Sequence, residues 1–309
     1  MDNNLQRAFN HDYRSRYVYM ITLMKHEGLE PYCHISGVPA TPNIALTETG
    51  LSVTKSIWQA KRMLTGVEIW RYAVMPDHVH ILMYVTQDNG PLLGTYVKDL
   101  KWIGTELLRK RMGFTSESQL YERGYHDRIL WRRGQLTAMR NYIVDNPRRY
   151  LIKRQHPELF RKGVMITADN RQYRAYGNFL LFEDTDRIAV RWSRSYTEQQ
   201  WAQLVRRYAM VAHNRGVLVS PFIHPKEKEI AMEAVEMGAR LIKIVDYPFG
   251  DRFAPKGRDF ELCSEGRLLL VSEYDYYGRV GIWRERAQND NALARVIAER
   301  GVTLATGLR

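Results

Sequence analysis

The first half of the chain alternates between strand-like and helix-like patterns of apolar residues. Aromatic and β-branched runs predict strands at 17–23, 67–74, 78–85 and 125–131. Apolar residues at helical spacing predict helices at 47–64, 92–111 and 135–146. Pro147 is expected to end the last helix, and the prolines and glycine at 31–42 predict a loop. We predict an α+β unit whose antiparallel sheet is covered by helices on one face.

The pattern changes in the second half, after a polar interruption at 155–175. Short apolar runs predict strands at 178–182, 188–192, 217–220, 241–245 and 268–271. Helical spacing lies between and after them, at 197–214, 225–237 and 289–300. Buried strands that alternate with helices are typical of a parallel, Rossmann-like α/β sheet. We therefore predict two domains, 1–163 and 164–309.

Two histidines separated by one valine stand in the predicted strand 78–85. Successive side chains of a strand point to opposite faces, so His78 and His80 share one face and Val79 and Ile81 the other. The apolar face can be buried while the two imidazoles converge in front of the sheet. Such a pair could form half of a metal site, although a pair of ordinary structural histidines fits the same pattern.

A tyrosine and an asparagine lie one helical turn apart in the predicted helix 135–146. Residues at i and i+4 share a helix face, so Tyr142 and Asn146 could supply a nucleophile and a third metal ligand. A phenol is mostly protonated at neutral pH, and a metal or a base must expose its oxygen. The alternatives are that Tyr142 is a core residue and that Asn146 only terminates the helix before Pro147.

Charge narrows the choice of partner. The net charge is +12, and it is concentrated at the front of the chain. Residues 1–163 carry 24 Lys and Arg against 15 Asp and Glu, whereas residues 164–309 carry 22 against 19. A basic half is typical of proteins that bind a polyanion such as DNA, although a merely soluble basic protein has the same composition.

The cysteines and the hydropathy exclude several classes of protein. The two cysteines, Cys33 and Cys263, are far apart, which argues against a disulfide framework or a zinc ribbon and favours a reducing cytoplasm. No apolar run approaches the roughly 20 residues of a membrane span, so we expect no membrane association.

Two ordered motifs resemble the single-tyrosine HUH transposases, and most of all the REP-associated tyrosine transposases. The first motif is Met75-Pro-Asp-His-Val-His-Ile-Leu82, and the second comprises Tyr125-His-Asp-Arg-Ile-Leu130 and Tyr142-Ile-Val-Asp-Asn-Pro147. The resemblance covers roughly residues 12–163. It implies a ferredoxin-like antiparallel sheet, with His78, His80 and Asn146 as ligands of Mg²⁺ or Mn²⁺ and Tyr142 as the nucleophile. Family members cut single-stranded DNA near hairpins and leave a 5′-phosphotyrosine and a free 3′-hydroxyl.

Several further residues are candidates for DNA contact. His126 and Asp127 fall in the second motif, where they could be an accessory ligand, a DNA contact or a structural pair. A basic set after the tyrosine could line a channel for the DNA backbone or form a solvated helix face: Arg148, Arg149, Lys153, Arg154, Arg161 and Lys162.

The second half faintly resembles the Rossmann-like fold of DNA-processing protein A. The similarity lies at Trp192-Ser-Arg-Ser195, at Val217-Leu-Val-Ser-Pro-Phe222 and around Cys263. The glycine-rich phosphate loop of that family is missing, which favours an accessory domain over a second enzyme. Ser193, Arg194 and Ser220 could contact an anion, but ordinary loop roles are the simpler interpretation.

Together these patterns predict a metal-dependent enzyme that nicks and rejoins hairpin-bearing single-stranded DNA. The alternative is a regulator that binds hairpin DNA and cleaves little or none, which the additional domain would suit. A homodimer is possible, with the tyrosine helix acting in the same or the partner chain.

Overall fold

The computed structural model describes residues 8, 10–113, 119–250, 253–273, 283–300 and 302–304. Contacts between Cα atoms divide the chain into two units, Met1–Ile152 and Lys153–Arg309. The division lies N-terminal to the predicted domain boundary at 163/164.

The first unit interleaves strands with three long helices in its described residues. The strands are β1 (Val18–Met24), β2 (Cys33–Val38), β3 (Thr41–Leu46), β4 (Val67–Val74), β5 (His78–Val85) and β6 (His126–Ile129). The helices are α1 (Glu48–Met63), α2 (Leu93–Met112) and α3 (Gln135–Gln155), the last of which continues across the division. The Thr47 side chain accepts a hydrogen bond from the Gly50 N–H and so caps α1, and Gly113 ends α2 with a φ of 65°.

Four of these strands form one antiparallel sheet in the order β4-β5-β1-β6. Along the chain they follow the sequence β1-α1-β4-β5-α2-β6, which is the connectivity of a ferredoxin-like fold. The predicted α+β class and ferredoxin-like sheet are therefore confirmed. The β2–β3 pair stands apart as a two-stranded hairpin between β1 and α1.

Helices cover both faces of this sheet. One face, with Ile21 and Ile81, packs into the main core with Val53 of α1 and Val97 of α2. The opposite face carries His78 and His80 and packs against α3 through a small cluster of Met20, Leu82 and Ile143. The expectation that helices cover only one face is therefore wrong. Apolar periodicity shows that α3 has a buried side, but it does not show which face of the sheet that side covers.

Two other local predictions for this unit are also wrong. Pro147 lies inside α3 and does not end it. Proline removes one helical hydrogen bond, but the buried residues Pro147, Leu151 and Ile152 give the continued helix tertiary packing that outweighs the local preference. The segment 31–42 is not a plain loop either, because it holds β2 and the start of β3. Gly37, Pro39 and Pro42 lie at or beside the turn of this hairpin, and Pro31 precedes β2.

The second unit is built on a mixed sheet, seven-stranded in the described residues. The strands are β7 (Arg161–Ala168), β8 (Arg171–Gly177), β9 (Arg187–Ala189), β10 (Val217–Ser220), β11 (Arg240–Ile244), β12 (Leu268–Glu273) and β13 (Thr303–Leu304). The helices are α4 (Glu198–His213), α5 (Pro225–Glu236), α6 (Arg258–Ser264) and α7 (Trp283–Glu299). Strands β9 to β12 are parallel neighbours, whereas β7, β8 and β13 pair antiparallel.

The parallel part of this sheet agrees with the predicted alternation of strands and helices, and the Rossmann-like assignment stays a prediction. Residues 161–177 form a β-hairpin, not a structureless interruption, and the predicted strand at 178–182 is a 3₁₀ turn, Phe179–Phe182. None of the helices in the described residues is long and apolar enough to cross a membrane.

Candidate metal and nucleophile site

The two histidines of β5 converge on one point in front of the sheet. The Nε2 atoms of His78 and His80 lie 3.1 Å apart, and the ring centroids are 4.5 Å apart. His80 is buried at 8% exposure, whereas the His78 side chain is 21% exposed. The alternation of β5 thus brings both rings to the same place, one of them open to solvent and the other enclosed.

The outer nitrogens of both rings are bound by oxygen atoms. His78 Nδ1 lies 2.7 Å from an Asp77 carboxylate oxygen, and His80 Nδ1 lies 2.9 Å from the Thr22 hydroxyl of β1. The hydrogen bond with His78 lowers the pKa of Asp77, so the carboxylate is an acceptor and holds the proton on His78 Nδ1. The lone pair of His78 Nε2 is then free to face the gap between the rings.

Burial keeps His80 neutral. Desolvation, reinforced by the neighbouring His78, lowers the pKa of His80 to about 3. A neutral imidazole retains a lone pair for a metal ion, and an imidazolium does not. The Thr22 hydroxyl can donate or accept, so it accommodates either tautomer of His80.

Helix α3 brings Tyr142 to the same place. The Tyr142 ring lies 5.5 Å from the His80 ring, centroid to centroid, at an interplanar angle of 60°. Asn146 is one turn further along α3 and is buried at 7% exposure. Its Nδ2 atom is enclosed and has no hydrogen-bond partner among the described residues. One chain therefore brings Tyr142 beside the histidine pair, with Asn146 on the same helix.

These residues fit a divalent cation. Ligands on adjacent corners of an octahedral ion at about 2.1 Å lie about 3 Å apart, close to the separation of the two Nε2 atoms. Asn146 could add a ligand through its side-chain oxygen, the amide atom that binds a hard cation, whereas its unpartnered Nδ2 is a hydrogen-bond donor and could not bind the ion. Within the described part of the chain there is no group of three or more His, Cys, Asp and Glu residues that could hold a metal. A third protein ligand from another residue type, such as Asn146, is compatible with that result.

The other predicted residues occupy varied environments. Arg149 is buried, and its guanidinium carbon lies 5.5 Å from the centroid of the Tyr142 ring. Arg148 pairs with Asp145 in the preceding turn at 2.5 Å. Asp127 accepts a hydrogen bond of 3.0 Å from the Tyr13 hydroxyl. A DNA role for these residues stays a prediction.

The remaining predicted contacts differ mainly in exposure. His126 pairs with Thr22 across β1 and β6, which places it in the same cross-strand row as His80. Lys153 and Lys162 are half-buried, and Arg154 and Arg161 are exposed.

Sequence reasoning missed two residues that hold the histidines in place. Asp77 directly precedes His78, and a carboxylate beside a candidate ligand was a usable signal. Thr22 is the one polar residue in β1, but its contact with His80 depends on strand register, which the sequence pattern did not give.

One family model matches the segment of the chain that holds the site. Residues 32–146 match the model of the family described as IS200-like transposases, a range that includes both histidines, Tyr142 and Asn146. The predicted resemblance to this family is thereby confirmed over that segment, and it indicates a transposase-like role in DNA processing. No curated protein matches the chain.

Two solved structures resemble part of the chain at low identity. One is a REP-associated tyrosine transposase bound to a REP hairpin, 13% identical, covering 47% of this chain and 74% of that one at a TM-score of 0.34. The other is a candidate transposase from Deinococcus radiodurans R1, 16% identical, covering 46% and 97% at a TM-score of 0.28.

Proposed function

We propose, from the premise that residues 32–146 form an IS200-like transposase segment, that this chain nicks and rejoins single-stranded DNA through Tyr142. The observation that carries the proposal is the placement of the Tyr142 ring 5.5 Å from His80, whose Nε2 lies 3.1 Å from that of His78. A nucleophile beside two convergent imidazoles is the arrangement that metal-assisted phosphodiester cleavage requires.

His78, His80 and Asn146 would hold Mg²⁺ or Mn²⁺, and the ion would polarise the scissile phosphate. The Tyr142 oxygen loses its proton and attacks phosphorus, and the 3′-oxygen leaves and takes up a proton. The products are a 5′-phosphotyrosine and a free 3′-hydroxyl. A 3′-hydroxyl that attacks the phosphotyrosine reverses the step and rejoins DNA. The buried guanidinium of Arg149 places a positive charge beside the tyrosine.

The substrate is proposed to be hairpin-bearing single-stranded DNA. The net charge of +12 favours a polyanion, and the basic excess lies in the half of the chain that holds the site. His126, Asp127, Arg148, Arg149, Lys153 and Arg154 remain the proposed DNA contacts. The second unit is proposed to be an accessory domain, and the chain is proposed to act in the cytoplasm.

The proposal predicts a covalent protein–DNA adduct that depends on Tyr142. Labelled hairpin DNA with single-stranded flanks is incubated with Mn²⁺ and run on a denaturing gel. Wild type should retain label on the protein, and Tyr142→Phe should retain none, because phenylalanine lacks the attacking oxygen. Tyr150→Phe on the same helix is the matched control and should behave like wild type.

Chelation of the metal should abolish the adduct in wild type. An adduct of equal yield in Tyr142→Phe would contradict the assignment of the nucleophile. A wild type that binds hairpins tightly but never forms an adduct would favour the alternative, a hairpin-binding regulator.

A further inference from the structure

A cluster of aromatic rings lies at the edge of the first sheet, beside β6. It consists of His11, Tyr13, Tyr17, Tyr19 and Trp131, which we call the β6 aromatic cluster. The His11 ring stands edge-on to the other four, at centroid distances of 4.8 to 6.1 Å. His11 Nε2 also lies 2.8 Å from the Tyr19 hydroxyl, and Tyr19 is fully buried. The cluster is therefore anchored in the core.

The outer part of this cluster is open to solvent. Trp131 is 57% exposed and Tyr17 is 38% exposed. Trp131 also lines a cleft of about 400 Å³ together with Tyr13, Arg128 and Arg132. An exposed tryptophan beside a packed ring offers a large aromatic face on which a planar ligand can stack.

The charge of the cleft favours an anionic ligand. Arg128 and Arg132 are both exposed, and in the described residues no ion pair involves either guanidinium. The acidic residue in the cleft, Asp127, accepts a hydrogen bond from Tyr13. Exposed aromatic rings beside arginines are the combination by which proteins bind single-stranded nucleic acid, with bases stacked and phosphates paired.

Strand β6 connects this cleft to the histidine site. Its first residue, His126, pairs with Thr22, which pairs in turn with His80 on β5. Its last residue, Ile129, pairs with Tyr19 of the aromatic cluster. The strand rises about 3.3 Å per residue, so Ile129 lies about 10 Å along β6 from His126. Tyr19 packs in the main core, on the sheet face opposite His80, whereas Arg128 pairs with Met20 and shares the face of the histidines. Because β6 is the edge strand, DNA bound in the cleft can pass around this edge to the histidine face.

We propose that Trp131 stacks an unpaired base of the DNA strand that flanks the cleaved phosphodiester, with the backbone held by Arg128 and Arg132. The inference rests on the proposed function for the identity of the DNA. It adds a stacking site that would help to place the scissile phosphate at Tyr142.

The test is a binding experiment in the Tyr142→Phe background, so that cleavage plays no part. Affinity is measured by fluorescence anisotropy for a hairpin with single-stranded flanks and for the same hairpin without them. Trp131→Ala should weaken binding of the flanked hairpin about tenfold or more and leave the bare hairpin unchanged. Trp131→Phe should restore much of the loss, because it keeps an aromatic face.

Trp58→Ala is the matched control, since Trp58 on α1 is also 57% exposed. It should change neither affinity. In a further set of flanked hairpins, an abasic site replaces each flanking nucleotide in turn. At one position the Tyr142→Phe parent should bind the abasic hairpin as weakly as the Trp131→Ala variant binds the intact one. Combining that abasic site with Trp131→Ala should cause no further loss, as expected for two groups in contact.

Equal losses for both hairpins, no loss at all, or full additivity at every abasic position would overturn the proposal. The outcome is separable from the test of Tyr142. If the effects of Trp131→Ala and of one abasic position are not additive, but wild type forms no adduct, the stacking site stands and the proposed cleavage by Tyr142 is refuted. An adduct without such coupling would refute the stacking site alone.

Discussion

The Thr22 hydroxyl allows the buried His80 to adopt either of its neutral tautomers. Its hydroxyl lies 2.9 Å from His80 Nδ1, and a hydroxyl can serve as donor or acceptor. With the proton on His80 Nε2, that ring can donate to His78 Nε2, and Thr22 donates to Nδ1. With the proton on Nδ1, Thr22 accepts it and both Nε2 lone pairs face the gap. The second arrangement is the one that can bind a cation.

Replacing Thr22 by valine should therefore weaken metal binding. Valine keeps the shape of the side chain but gives His80 Nδ1–H no acceptor, which penalises the tautomer that binds metal. We expect a loss of Mn²⁺ affinity of about 10- to 100-fold, the range typical for partners of ligating histidines. Calorimetric titration of the variant measures it.

Thr22→Ser is the control for this prediction. It retains the hydroxyl and should bind Mn²⁺ much as wild type does. Unchanged Mn²⁺ affinity in Thr22→Val would mean that the hydroxyl does not orient His80 for a metal.

At the scale of elements, α3 is held on the sheet by a small apolar contact. Ile143 is 2% exposed and packs with Met20 of β1 and Leu82 of β5, apart from the main core. Its neighbour Tyr142 is partly buried at the edge of the same cluster. The packing that stabilises the helix is thus also what sets the position of the candidate nucleophile.

Ile143→Ala should destabilise the protein by about 2–5 kcal/mol, because it removes buried methyl groups from a cluster with few members. Urea unfolding of the purified full chain measures the loss. Val144→Ala is the matched control, since Val144 is the next residue and is 63% exposed. If both variants unfolded at the same urea concentration, the cluster would not be a support for α3.

Elements with strong alternation were predictable from sequence. The observed bounds of β4 and β5 equal the predicted ranges, because their strand pattern is interrupted only at Met75-Pro76-Asp77. Helices α1 and α2 were also placed within one residue at each end, because apolar residues recur at helical spacing along both of them. The identities of the candidate ligands and nucleophile came from such periodic segments and from the family motifs.

Features that depend on tertiary contacts were not predictable in this way. The local preference of proline is to end a helix, so the position of Pro147 inside α3 could not be predicted from neighbouring residues. Its burial against the rest of the unit explains why the helix continues. The contact of Thr22 with His80 needs the register of β1 against β5. Trp131 looked like the end of a strand, and its place in an aromatic cluster with His11 became visible only in three dimensions.

For the whole molecule, the main question is whether one chain suffices. The histidines on β5 and Tyr142 on α3 belong to the same unit and lie in contact distance within one chain. The predicted homodimer stays a prediction, and this arrangement does not require a partner to complete the site.

Mixing two inactive variants tests this arrangement. His80→Ala retains Tyr142 but lacks a ligand, and Tyr142→Phe retains the histidines but lacks the nucleophile. If each site is built within one chain, the mixture should form no adduct. Each variant alone should also form no adduct. When wild type is mixed with either variant, the yield of adduct should fall only in proportion to the fraction of wild type in the mixture.

A size tag on the His80→Ala chain distinguishes the opposite result. An adduct that appears on the tagged chain only after mixing would show that its tyrosine acts in the site of another chain. That outcome would overturn the arrangement within one chain.

At Asn146 the stability of the fold conflicts with the proposed role of this residue as a metal ligand, because its Nδ2 atom is buried without a hydrogen-bond partner among the described residues. An unsatisfied buried polar atom costs about 1–3 kcal/mol, and an apolar residue of similar shape would avoid that cost. A relative of this protein that no longer used the site could therefore exchange Asn146 for leucine. That exchange would increase the stability of its fold. At this one position the chain keeps the less stable choice.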